Sequence, residues 1–437
     1  MSDALRSWLR TWQAEGPAAV RDRTLDRWAE RRARGRATGG PSPSWPAPPV
    51  LNVLGVEAAV RLGGMPAQAL ARLRHEARER SVALLARAPG GLRLEWRHEG
   101  QAWARLLPCP PGSRDPLAAD PRWLAAVRAA RTLVGAAAVH LEDLADLSLP
   151  AAAALTHDGP CVISQHDFAA FCRRPHLWEA TGGFCDYSTD ADRCRICLEA
   201  SGAIGSLDQA AHRALGQSIL GRATGLVFPS RFLRDRLAAL LPLPPQVATA
   251  IVEPGIDVEP GLARSLRRPD QIAVLGGGAG HKGGQRLARL PAILAARDLS
   301  VTVYGGNGHA HLAAIGRVDR VRVRGYYRAG ALARLLAEQG AAVAILLPRV
   351  PESFSLILSE AWAAGVPAVA AGQGALVDRL TAGGGIVLGP LPTDHEVSAA
   401  VDWLRSQPDV AIPRVATAAD AAREMQDLYR AWRISSS

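Results

Sequence analysis

Lysine is all but missing from this sequence. Of 51 lysine and arginine residues only Lys282 is a lysine, and asparagine occurs only at Asn52 and Asn307. A bias that turned the other basic positions to arginine spared one, in a glycine-rich turn. Chance survival is one explanation. The other is chemical: a compact ammonium enters a tight phosphate pocket that a guanidinium fork does not. Long apolar runs are missing too. No stretch of about 18 uncharged apolar residues occurs, which argues against a transmembrane helix. Met1 to Gly16 carries scattered charge and lacks the apolar core of a secretory leader. The expected location is the cytoplasm, with peripheral contact at the inner membrane face as an option. The six cysteines are therefore read as reduced or metal-bound before disulfide-linked.

What is present suits a two-domain globular protein: 437 residues, 48% of them apolar. The net charge of +10 has two readings, an arginine-rich surface or attraction to an acidic partner such as a lipid diphosphate or an anionic membrane. The first accounts for most of the arginines. Residues 1–48 form an extension. Helical stretches around 5–13 and 18–34 carry Trp8, Trp12 and Trp28 among arginines, and a Pro/Gly/Ser linker follows. Such a segment either lies on a membrane surface or packs on the protein itself. The expected domains are 49–265, 266–415 and a final helix, 416–437, crossing back to the first of them.

The most informative stretch runs from Pro351 to Pro367. Phe354, Ile357, Leu358 and Ala361 recur at helical spacing, with Ser353 as the expected N-cap and Gly365 as the stop. The apolar runs 341–347 and 367–371 on either side read as strands buried on both faces, so the unit belongs to a parallel sheet. Glu352 and Glu360 would lie roughly 12 Å apart along one helix. That is too far for a shared metal or an acid–base pair on one bond. It suits two groups holding opposite ends of an elongated ligand, with a diphosphate between them at the helix N-terminus. Two solvated glutamates are the alternative.

Other segments add to this unit. The run 272–275 reads as a strand, and the turn after it contains Gly-x-Gly-x-x-Gly at Gly278, Gly280 and Gly283, around His281 and Lys282. A dinucleotide site would need an acid at the end of the next strand, 301–304, and none is there; the lysine points to a diphosphate instead. Gly63 and Gly64 open a helix after the strand 50–55, a second place for close ligand approach. His166 and Asp167 end the apolar run that starts at Cys161, where open α/β sheets place their ligands. Cys172, Cys185, Cys194 and Cys197 can hold a tetrahedral structural zinc, or they are four free thiols. A nucleic-acid-binding ribbon lacks its basic and aromatic surface here, so no nucleic-acid partner is expected. Nothing calls for a metal or other cofactor in catalysis.

Glu352-x7-Glu360, then Ala361 and Gly365-Val366-Pro367, resembles the signature of the family-4 retaining glycosyltransferases. His166-Asp167-Phe168 with the four cysteines resembles a bacterial subset of that family. Pro229-Ser230 resembles its strand–turn–helix element, and Glu253-Pro254-Gly255-Ile256-Asp257 its interdomain element, without the usual asparagine. The resemblance spans residues 50–432. It implies an α/β chain of GT-B architecture, two Rossmann-like domains with parallel sheets facing a cleft. It also implies a retaining hexosyl transfer from a nucleotide-diphosphate sugar to a glycan or lipid-linked acceptor in cell-surface polysaccharide biosynthesis. A protein acceptor, or a non-catalytic nucleotide-binding protein of the same fold, is the alternative. By this resemblance Glu360 holds the ribose, Tyr326 borders the base, and His281, Lys282 and Gly283 meet the diphosphate, where the family's usual arginine is replaced by glycine. Glu352, Ser353, Phe354 and Ser355 shape the sugar end, Gly63 and Gly64 line the cleft, and His166 faces the transferred sugar or the acceptor. The catalytic set is then His166, Lys282 and Glu352.

Overall fold

A computed structural model of the chain describes residues 3–34, 48–56, 64–99, 101–113, 115–202, 205–257, 266–276, 279–287, 289–306 and 309–434. The expected linker falls largely outside the described residues, as does Gly63. Two compact units divide the chain. One comprises Met1–Ala29 with Ile256–Val415, the other Glu30–Gly255 with Ala416–Ser437.

The second of these units is built on a sheet of eight strands: β1 (Val50–Leu54), β2 (Val82–Ala88), β3 (Gly91–His98), β4 (Gln101–Pro108), β5 (Ala138–Leu141), β6 (Cys161–Ser164), β7 (Gly225–Phe228) and β8 (Ala248–Ile251). Their order is β4-β3-β2-β1-β5-β6-β7-β8. From β2 through β1 to β8 the pairs are parallel, while β2, β3 and β4 form an antiparallel meander. The composition explains the split. β1, β5, β6 and β7 are buried along their whole length and read as short continuous apolar runs. β3 and β4 mix buried with exposed positions, as strands with one wet face do. The helix Ala418–Ala431, opened by a Thr417–Asp420 capping box, belongs to this unit and buries Met425 and Tyr429 against it.

The other unit has six strands: β9 (Gln271–Leu275), β10 (Ser300–Tyr304), β11 (Val321–Gly325), β12 (Val343–Leu346), β13 (Ala368–Ala371) and β14 (Gly385–Leu388). All pairs are parallel, in the order β11-β10-β9-β12-β13-β14. Apolar clusters cover both faces of this sheet. The chain winds outward in one direction from β9 and in the other from β12. The crevice outside their carboxyl ends is therefore the topological switch point, where open α/β sheets bind ligands. The N-terminal helix Asp3–Arg34 packs on this unit. Gly16 breaks it with a non-helical φ of 82° and ψ of 173°, followed by Pro17.

Two local expectations are corrected here. The motif helix spans Leu356–Ala363, so its N-cap is Ser355 and not Ser353, and Glu352 lies before it rather than in its first turn. The helical-rise spacing of the two glutamates thus does not hold. The glycine-rich turn itself leads into a 3-10 turn at Gly280–Lys282 and short helices Gly284–Leu287 and Leu290–Ala295.

Candidate active site

The switch point brings two loops together. Lys282 Nζ lies 2.5 Å from Glu352 Oε1, joining the turn after β9 to the loop after β12. The pair is reachable: the lysine side chain is 33% exposed and the glutamate 13%. Backbone contacts fix the two loops to each other. The Arg349 N–H donates to the His281 carbonyl over 2.9 Å. Gly283 sits at φ 87° in the left-handed region, and a Cβ there would lie 2.2 Å from the Leu347 carbonyl oxygen. Only glycine allows that approach.

The main chain of Glu352 is held from its other side. It receives a bridge from the loop after β13: its N–H donates to Gln373 O over 3.3 Å, and Ala375 N–H donates to its carbonyl over 2.9 Å. Beyond it, Phe354 is buried and Ser355 adopts φ 76° and ψ 79°, a conformation that costs a non-glycine residue of order 1–3 kcal/mol. Arg379 maintains it. Its Nη1 donates to the Phe354 and Ser355 carbonyls, both over 2.9 Å, and its Nη2 to Ser359 Oγ over 2.8 Å. Its guanidinium lies 4.0 Å from the Phe354 ring centroid. Sequence reading missed Arg379. It sits twelve residues past Pro367, the end of the motif, in an ordinary helix, and no local spacing marks it.

Glu360 contrasts with Glu352. It is largely buried, its Oε1 has no hydrogen-bond partner among the described residues, and burial pushes its carboxyl up to about 7. The N–H groups of Leu332 and Gly330 oppose that rise. A buried acceptor with an empty lone pair is costly to maintain, so it marks a place where a ligand donor can add a bond. Of the other expected residues of this unit, His281 and Ser353 are partly buried around the two loops, and Tyr326 follows β11.

In the other unit, Gly64 opens the helix Gly64–Glu76 at φ 42° and is exposed. His166 lies just past β6. Burial drives its imidazole down to about 4, against the charge and the backbone of Glu142, and its Nε2 has no partner among the described residues. It is therefore a neutral ring at pH 7. Next to it, burial raises Asp167 to about 6; burial and the charges of Asp167 and Asp146 raise Asp143 to about 7. Beneath these residues runs a buried ionic network that sequence reading missed. Arg72 contacts both Glu76 and Glu142, and Arg80 contacts Glu76. His140 bonds Tyr429 Oη over 2.6 Å and Ser164 Oγ over 2.9 Å. The Arg72–Glu76 spacing was legible as an i, i+4 pair, but such pairs are usually solvated.

The four cysteines line one small cavity and none is disulfide-linked. Cys194 and Cys197 sit one turn apart on the helix Ala191–Ala200. Cys172 Sγ accepts from Arg174 N–H over 3.4 Å and from Gln209 Nε2 over 2.9 Å, and Arg213 Nη2 lies 3.2 Å from Cys194 Sγ. Among the described residues no group of three or more His, Cys, Asp or Glu side chains is placed to hold a metal ion. Nor is any helix among them long and apolar enough to cross a membrane.

Residues 272–406 match the family described as "Glycosyl transferases group 1". No curated protein matches the sequence. Among solved structures, sucrose-phosphate synthase from Thermosynechococcus elongatus is similar with a TM-score of 0.58 at 15% identity, over 88% of this chain and 96% of that one. HepE of Anabaena, solved in complex with UDP and glucose, is similar with a TM-score of 0.52 at 15% identity, over 87% of this chain and 95% of that one. At such identity the likeness establishes the fold, which is the α/β GT-B fold of two sheet-based domains.

Proposed function

We propose that this chain is a retaining glycosyltransferase, moving a hexose from a nucleotide-diphosphate sugar to a glycan or lipid-linked acceptor in cell-surface polysaccharide synthesis on the cytoplasmic side of the inner membrane. The observation that carries the proposal is the Lys282–Glu352 pair at the switch point of the unit that matches the glycosyltransferase family. The unsatisfied Glu360 on the same motif supports it. HepE was solved with UDP, which makes a uridine nucleotide the first donor to test.

The chemistry follows from the pair. Without ligand, Glu352 neutralises Lys282. A diphosphate competes for the ammonium, and the released Glu352 carboxylate accepts hydrogen bonds from sugar hydroxyls. As the bond between the sugar and the diphosphate breaks, negative charge grows on the leaving phosphate. Lys282 stabilises it more in the transition state than in the ground state, which is what accelerates a reaction. His281 and Gly283 complete the phosphate loop. Glu360 accepts from the ribose hydroxyls, Tyr326 stands at the base end, and Ser353, Phe354 and Ser355 shape the sugar end. The two motif glutamates are assigned to opposite ends of the ligand and not to the two roles of a double displacement. Departure of the diphosphate on the face that the acceptor enters is the consistent route. In the other unit the neutral His166, with Nε2 free to bond, is assigned to the transferred sugar or the acceptor hydroxyl, and Gly63 and Gly64 to close ligand approach.

Thermal-shift binding of UDP, GDP, dTDP, ADP and NAD tests the donor. One nucleoside diphosphate is expected to stabilise the protein, and Lys282→Ala to abolish that shift and slow transfer by about 100-fold or more. Stabilisation by NAD alone, or full turnover in the variant, would overturn the proposal.

The four cysteines line one cavity but no three of them are placed to hold an ion as they stand, so the structural zinc proposed for this segment requires them to close on it. N–H donors are aimed at the sulfurs of Cys172 and Cys194, as outer-shell partners of metal ligands are, although burial still pushes the Cys172 thiol up to about 11. Zinc would be held by Cys172, Cys185, Cys194 and Cys197, leaving no open position for catalysis. Elemental analysis should find about one zinc per chain, lost in Cys185→Ser. A purified protein essentially free of zinc would leave four thiols and no site.

A further inference from the structure

The N-terminal helix is docked by charge, and at a telling place. Glu15 and Asp22 are 1% and 5% exposed, an unusual state for carboxylates. Glu15 accepts from the backbone N–H of Tyr326 over 2.7 Å and from Arg23 Nη2 over 2.9 Å. Arg23 Nη2 also donates to the Gly306 carbonyl over 3.1 Å, and its guanidinium lies 4.5 Å from the Tyr326 ring centroid. Asp22 accepts from Arg324 Nη2 over 2.6 Å, and Arg324 Nη1 donates to the Tyr326 carbonyl over 2.7 Å. The helix therefore grips the carboxyl ends of β10 and β11, on the ligand-binding edge of the sheet. The strand ends are shaped to admit it. A Cβ on Gly325, at φ 65°, would lie 2.3 Å from Glu15 Cβ, and one on Gly306 would lie 2.7 Å from Glu15 Oε2.

The grip continues into the donor site. Tyr326, held by Glu15, begins a short loop that ends at Leu332. The next residue, Tyr327, is partly buried where the Glu360 charge reaches its hydroxyl, and the N–H groups of Gly330 and Leu332 serve the Glu360 carboxylate. One loop thus touches the extension at its start and the unsatisfied glutamate at its end.

We infer that the N-terminal helix is a positioning element of the nucleoside end of the donor site, with Glu15 and Arg23 holding the 326–332 loop against Glu360. The inference rests on the glycosyltransferase proposal. It separates the two ends of the ligand: the phosphate end is built from Lys282 and Glu352, which the helix does not touch in any contact described above. Loosening the helix should weaken the nucleoside contacts and spare the diphosphate contacts.

Calorimetric titration of the full-length protein tests this. The probes are the nucleoside diphosphate that the wild type binds and inorganic diphosphate. Glu15→Ala should weaken the nucleoside diphosphate by about tenfold, the scale of one charge-assisted hydrogen bond, and leave inorganic diphosphate unchanged. Arg23→Ala should weaken it less. Glu15→Gln keeps an acceptor for the Tyr326 N–H and should recover part of the loss. Equal weakening of both probes would mean general loosening of the unit and would overturn the inference, as would unchanged binding of both. A wild type that binds none of the nucleoside diphosphates removes the proposed donor, and this inference with it. A wild type that binds, with variants that bind equally well, removes this inference alone.

Discussion

Two groups of carboxylates near strand ends, Glu76 with Glu142 in one unit and Glu360 in the other, are treated in opposite ways. Beneath His166, Glu76 and Glu142 are inaccessible but saturated, with Arg72 between them and Arg80 on the first. Beside the motif helix, Glu360 is largely buried with a vacant oxygen, and the backbone N–H groups of Gly330 and Leu332 are its donors. The first arrangement is complete within the protein. The second is complete only with something added. Burial alone does not distinguish a structural acid from a functional one; the count of satisfied lone pairs does.

The largest effect that would break this comparison comes from the saturated side. Arg72→Met should lower the unfolding free energy of its unit by about 3–5 kcal/mol, because it strands the Glu142 carboxylate in the interior. Denaturant titration checks it. A loss below about 1 kcal/mol would mean that water reaches the network and that the pair resembles a surface one.

The second prediction sharpens the other side and concerns pH. The Glu360 carboxyl, raised by burial from 4.5 to about 7, holds its proton in the folded protein through a window where the unfolded chain has lost it. Its contribution to stability is therefore full below about 4.5 and disappears as pH rises through about 7, amounting to about 3 kcal/mol. The proposed ligand binding has the opposite sign, because ribose hydroxyls would donate to the ionised form. Nucleoside diphosphate affinity should climb up to about tenfold per pH unit below 7 and level off above it. Glu360→Gln should flatten that profile and weaken binding at pH 8 by about tenfold. A wild-type profile already flat between pH 5 and 8 would remove Glu360 from the nucleotide site.

The same contrast bears on what was legible beforehand. Parallel strands buried on both faces announce themselves as apolar runs, so β9, β10, β12 and β13 were readable; β14 was hidden behind Gly383, Gly384 and Gly385. Lys282 and Glu352 were readable as candidates, one by rarity and one by motif, but their contact spans seventy residues and has no local signature. Ser353 looked like an N-cap because serine favours that position. The actual start is set by Arg379, which supports Ser355 in a left-handed conformation that no propensity predicts. Arg72, Glu15 and Asp22 were unreadable for one shared reason. A charged residue on a helix is solvated by default, and only tertiary contact reveals which ones are not.

The scarcity of lysine gives the Lys282 turn a use as a reporter. A protease specific for lysine has a single cleavage point in the 437 residues, within the turn that the proposed ligand would cover. The rate of that one cut becomes a direct readout of whether the loop is occupied, in unlabelled protein and in a crude extract. An amine-directed reagent likewise meets one side chain besides the α-amine, so the degree of protection by each nucleotide can be read as one mass shift on the peptide that carries Lys282. Exchanging Lys282 for arginine would silence both readouts while keeping the charge, which supplies their own control.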